Sequence, residues 1–165
     1  MVNLSGLPEN SPVLSRIITG GQTGVDRAAL DFAIEAGIPH GGWCPLKRKA
    51  EDGTINEQYL LKETPEADFS IRTKLNVRDS DGTLILNVDK LEGGTLLTVQ
   101  YAKELARPCL IIDLDNIPEH NAIHHWLTMH KIRILNIAGP RESKRPGIYE
   151  QTRETLPRLL ITIQS

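Results

Sequence analysis

Short apolar runs alternate with amphipathic stretches along the chain. Arg16–Thr19 reads as a short buried strand stopped by Gly20-Gly21. After it Val25, Ala28, Ala29, Phe32, Ala33 and Ala36 recur at helical spacing, and Gly37 ends the run. Thr23 and Asp26 are spaced as a capping box for that helix. Ile38–Pro45 has room for a short second strand. From Leu46 to Asp81 the pattern weakens: Asn56–Lys62 is a candidate helix and the rest reads as loop. Thr83–Val88 is an apolar strand, Thr95–Ala106 a helix closed by Arg107-Pro108, and Cys109–Leu114 another strand. Pro118–His130 follows as a helix burying Ile123, Trp126, Leu127 and His130. Ile132–Ala138 is the last strand. Pro146 suits the first turn of a final helix, which Pro157 is expected to kink or split.

Strands of this kind, alternating with helices, predict an α/β fold: a single Rossmann-like domain with an open, mainly parallel sheet and helices on both faces. The domain is expected to span 15–165, behind a flexible N-terminal arm over 1–14. In such sheets ligands bind beyond the carboxyl ends of the strands, where the strand order reverses.

Composition narrows the function. The chain has 165 residues, 39% hydrophobic and 24% charged, with a net charge of −2. That profile excludes a membrane, disordered or fibrous protein. No concentrated basic face is evident, so no nucleic-acid partner is expected, whereas a small anionic ligand needs only a local patch. Met1–Ser15 has no basic segment followed by an apolar one, so a cytoplasmic protein is expected. Cys44 and Cys109 form no disulfide framework; Cys109 reads as a buried core residue and Cys44 as a candidate reactive thiol.

Three loops that follow strands carry the candidate chemistry. Gly20-Gly21-Gln22-Thr23-Gly24 joins the first strand to the first helix. Its glycines permit positive φ and close approach of a ligand, and the free N–H groups of a helix start suit a phosphate. A plain tight turn fits the same residues, and no lysine completes a Walker pattern. Arg27 either pairs with the anion or faces solvent. Gly93-Gly94-Thr95 repeats the arrangement, with Thr95 as cap or phosphate ligand. Gly139-Pro140-Arg141-Glu142-Ser143 follows the last strand, where Arg141 offers a planar fork and Ser143 a hydroxyl; a charged surface turn fits equally. Arg72, Thr73, Asn76, Asp79 and Ser80, in the long loop ahead of Thr83, complete the candidate ligand site, and Asp81-Gly82 reads as a turn.

His120 and His124 lie one helical turn apart, but no third ligand accompanies them, and no protein-ligated metal is expected. No Gly-x-Ser-x-Gly elbow supports a serine nucleophile.

Ile17–Ile34 (IITGGQTGVDRAALDFAI), Gly42–Pro45 (GWCP), Ala50–Gly53 (AEDG), Arg72–Ile85 (RTKLNVRDSDGTLI), Gly93–Thr95 and Ala138–Ser143 (AGPRES) together resemble the molybdenum-cofactor carrier family. That family is similar to the Rossmann-like group holding the lysine-decarboxylase-like and cytokinin-activating (LONELY GUY-like) phosphoribohydrolases. The resemblance covers roughly Ser15 to Leu160. It implies a nucleotide-like or pterin-phosphate ligand, with molybdenum cofactor (molybdopterin) or a nucleotide as candidates, and a homo-oligomer. It also implies two alternatives: a nucleotide-processing enzyme of the phosphoribohydrolase type, and a non-catalytic nucleotide sensor. Those enzymes carry Pro-Gly-Gly-x-Gly-Thr-x-x-Glu with a catalytic Glu. Matched at Gly94-Thr95, the Glu position here is Thr98, and no proline precedes Gly93, which counts against that activity. An acid or base would then have to come from Asp79, Asp81 or Glu142.

Overall fold

The computed structural model describes residues 14–161, so all of the expected arm except Leu14 lies outside the described residues. Five parallel strands make the central sheet: β1 (Arg16–Ile18), β2 (His40–Gly41), β7 (Gly82–Asn87), β8 (Cys109–Asp113) and β9 (Ile134–Ala138). Between β2 and β7 the chain adds two small pairs, β3 (Trp43–Cys44) with β6 (Lys62–Glu63), and β4 (Lys49–Ala50) with β5 (Gly53–Thr54). The helices are α1 (Val25–Ala36), α2 (Phe69–Arg78), α3 (Gly93–Glu104), α4 (His120–Met129) and α5 (Ile148–Leu160).

The sheet order is β2-β1-β9-β7-β8. The last strand has entered the middle, pairing Ile17 with Leu135 on one side and Leu84 with Ile137 on the other. Counted from β9, the order becomes 3-2-1-4-5, the common doubly wound arrangement. The chain is thus a circular permutation of that arrangement, and the turn after β9 stands where the first strand-to-helix turn ordinarily stands.

Alternation along the strands sorts side chains to two faces. Ile17, Leu84, Leu86, Ile112, Leu135 and Ile137 meet Ala29, Phe32 and Ala33 of α1, Ile123 and Leu127 of α4, and Ile148, Leu156 and Leu159 of α5 in the main core. The opposite face carries Thr83, Ile85 and Asn87 of β7, all buried, on the side of α3, which packs against α2. A second cluster of Leu30, Cys44, Ala50, Ile55 and Tyr59 seats the 43–63 excursion on α1.

Several expectations change. The 46–81 stretch holds α2, and Asn56–Lys62 is not helical. Thr23 and Asp26 form no capping box: the N-cap is Gly24, with no side-chain hydrogen bond. Pro157 does not split α5, which continues to Leu160. Cys109 is only partly buried: it lies on β8, the edge strand of the sheet, where Ile111 two residues on is 46% exposed.

Candidate functional site

An open cavity of about 580 Å³ lies at the carboxyl ends of β1, β9 and β7. This is the crevice where strand order reverses in a doubly wound sheet. Of the residues expected there, Gly20, Gln22, Arg72, Thr73, Asn76, Gly93, Gly94, Thr95, Gly139 and Arg141 line it. Gly21, Thr23, Gly24, Arg27, Asp79, Ser80 and Ser143 do not.

Each wall follows from local packing. Arg72, on α2 rather than in a loop, lies across Gly20, where a Cβ would fall 1.8 Å from Arg72 Nη1, so a side chain at position 20 would have to displace the guanidinium. Arg72 Nη1 then reaches Asp26 Oδ2 at 3.2 Å, with the two side chains 12% and 9% exposed. Burial pushes the Asp26 carboxyl up, although Arg72 and the Gln22 N–H pull it down. Asn76 fixes α2 to β3: its Oδ1 accepts the Trp43 N–H at 2.8 Å and its Nδ2 donates to the Trp43 carbonyl at 3.0 Å. Thr98 is buried, with its hydroxyl donating to the Gly94 carbonyl.

Three N–H groups of the first glycine loop, and that of Val25 after it, are taken up within the protein. The Gly21 N–H goes to Thr19 Oγ1, the Gln22 N–H to Asp26 Oδ2, the Thr23 N–H to Gln22 Oε1, and the Val25 N–H to the Pro140 carbonyl. Asp26, read as a cap, supplies the anion to this loop. Arg27 pairs with Asp52 and the Gly21 carbonyl, and is thereby taken up within the protein. The start of α3 likewise has no side-chain cap at Glu92, and Gly93, Gly94 and Thr95 of its first turn line the cavity.

Charge concentrates at the cavity. Arg72, Lys90, Arg141, Lys144 and Arg145 line it against Asp26, Asp89 and Glu92, a local positive excess in a chain of net charge −2. Lys144 Nζ sits 3.2 Å from where a Cβ on Gly93 would be. The patterning missed Lys90, Lys144, Arg145, Asn87 and Asn136, because each looks like an ordinary surface or strand residue until the fold gathers them. A sheet-face signal existed for Asn87 and Asn136, which end or interrupt apolar strands.

Other expected groups serve the framework. Asp79 accepts Trp43 Nε1–H, Asp81 accepts the Arg133 and Ile134 N–H groups, and Glu142 accepts those of Gly147 and Tyr149. Ser80 donates to the Val77 carbonyl. Cys44 is fully buried away from the cavity, and burial pushes its thiol up, which argues against a reactive thiolate. Among the described residues no three His, Cys, Asp or Glu side chains converge to hold a metal, and no helix is long and apolar enough to cross a membrane.

Fold and crevice together define a permuted doubly wound domain with a cleft at its switch point whose lining holds more basic than acidic side chains. The chain belongs to the circularly permutated YpsA SLOG family, whose model matches residues 17–160, and the β9 insertion is the permutation that its name describes. A crystal structure named "Putative molybdenum carrier protein", from Syntrophus aciditrophicus SB, is similar: 50% identical, TM-score 0.87, covering 91% of this chain and 97% of that one. No curated protein matches.

Proposed function

We propose that the cleft binds a phosphate-bearing small molecule, and that the molybdenum cofactor, a pterin phosphate, is the cargo. The observation that carries this is the start of α3, without a side-chain cap and with Lys144 Nζ beside Gly93, in a cavity with an excess of basic side chains. The name of the 50%-identical relative supports the choice of cargo. Thr98, at the position where phosphoribohydrolases carry glutamate, supports binding over base-releasing catalysis. Self-association belongs to the same reading: α3 buries Thr95, Thr98 and Ala102 but exposes Leu96, and β8 exposes Ile111.

Native mass spectrometry with metal analysis of the purified protein tests the cargo. A bound pterin phosphate with stoichiometric molybdenum is the expected outcome; a co-purified nucleotide without metal would redirect the reading to a nucleotide ligand. Lys144→Ala is expected to weaken binding of a phosphate-bearing ligand about tenfold, the loss of one charge-assisted contact, with its melting temperature unchanged. Calorimetry showing an unchanged Kd would take Lys144 out of the site.

A further inference from the structure

Donors singled out as phosphate ligands do meet, but around one of the protein's own carboxylates. Thr23 Oγ1 and Ser143 Oγ both donate to Glu51. The Ser143 N–H lies 3.1 Å from Glu51 Oε1, and Arg141 Nε 3.3 Å from Glu51 Oε2. Two hydroxyls, one backbone N–H and one guanidinium thus surround a single anion. They come from the turns after β1 and β9, which are neighbouring strands. In the doubly wound order the turn after β9 holds the place that ordinarily carries a phosphate.

Glu51 is held there by a slight structure. It sits at the tip of the β4–β5 hairpin, with two residues in each strand, and its side chain is 22% exposed. Asp52 pairs separately with Arg27, so the hairpin keeps an anchor when Glu51 leaves. Arg141 and Gln22 also line the cavity, and Gln22 Oε1 accepts the Glu51 N–H at 2.9 Å. The space around Glu51 therefore adjoins the cleft.

We propose that Thr23, Arg141 and Ser143 form an oxyanion subsite at the rim of the cleft, that it takes a phosphate group, and that Glu51 fills it as an internal stand-in which the phosphate displaces. The inference rests on the cleft being a phosphate-ligand site, and adds where the phosphate enters and what it must move. A phosphate offers these donors more acceptor oxygens and more charge than a carboxylate does. No bond is made or broken: one anion exchanges for another.

Inorganic phosphate is the probe, titrated by calorimetry. Glu51→Ala should bind it about tenfold tighter or more than the wild type, since the binding-competent population is no longer reduced by Glu51. Adding Thr23→Val and Ser143→Ala to that variant should abolish the gain. Glu51→Gln keeps the side-chain length without the charge; it covers the case in which Ala loosens the hairpin, and should give a smaller gain in the same direction. Equal affinities for wild type, Ala and Gln forms, all lost on Lys144→Ala, would overturn the stand-in and leave the cleft reading in place. A gain that survives Thr23→Val with Ser143→Ala overturns it as well. Binding to none of the forms removes both readings.

Discussion

Asp26, in the first turn of α1, and Glu51, at the tip of the β4–β5 hairpin, are both carboxylates, and their surroundings push them in opposite directions. Burial dominates at Asp26 and raises it, so its contribution to stability is complete below the unfolded value of 3.8 and is lost as pH rises through the folded one. At Glu51 burial also works to raise the group, but the Ser143 and Thr23 hydroxyls, the Ser143 N–H and Arg141 outweigh it and hold it low. Its contribution is therefore present above the unfolded value of 4.5 and is lost as pH falls through the folded one. The melting-temperature gap between wild type and Glu51→Gln should stay level from about pH 7 to pH 5, then close below about pH 4.5. A gap independent of pH across that range would mean that Glu51 carries no such bonds. Residue type made Thr23, Arg141 and Ser143 readable as anion ligands in the sequence. Their partner was not readable, because Glu51 lies 92 residues from Ser143.

Among elements, α1 was legible because its apolar positions keep strict helical spacing and Gly37 ends it in the left-handed conformation. Missing α2 has an equally physical cause. Phe69–Arg78 buries only Asn76 and Val77, so it shows no apolar stripe; Asp68 caps it, and packing on α3 and β3 holds it. That one helix carries Arg72, Thr73 and Asn76 into the cleft, which is why they read as loop residues beforehand. The turn before α1 depends on Gly24, whose φ is +77° and whose Cβ would lie 2.4 Å from the Pro140 carbonyl oxygen. Gly24→Ala should cost more than about 2 kcal/mol in urea unfolding, from the left-handed penalty plus displacement of the neighbouring backbone. A loss under about 0.5 kcal/mol, the size of an ordinary surface substitution, would show that the two turns are not packed as tightly as described.

At the scale of the whole molecule the strand order decides where the cleft lies. Leu14 and Ile161, at the two ends of the described chain, pack against the same core cluster. A permuted chain that starts ahead of β9 and joins 161 to 14 through a short linker should therefore fold cooperatively and show the same anion affinity as the parent chain. Non-cooperative unfolding of that permutant would show that the connection from α4 into β9 is needed for the fold. By itself the sequence determined the alternation of strands and helices, the parallel sheet and the glycine turns, since each rests on local periodicity or on what one residue type permits. Only the tertiary structure decided that the last strand sits in the middle, that Arg72 crosses Gly20, and that Thr19, Asp26 and Gln22 take up the Gly21, Gln22 and Thr23 N–H groups. Those outcomes depend on contacts between residues far apart in the chain, and no local pattern encodes which distant partner will complete a hydrogen bond.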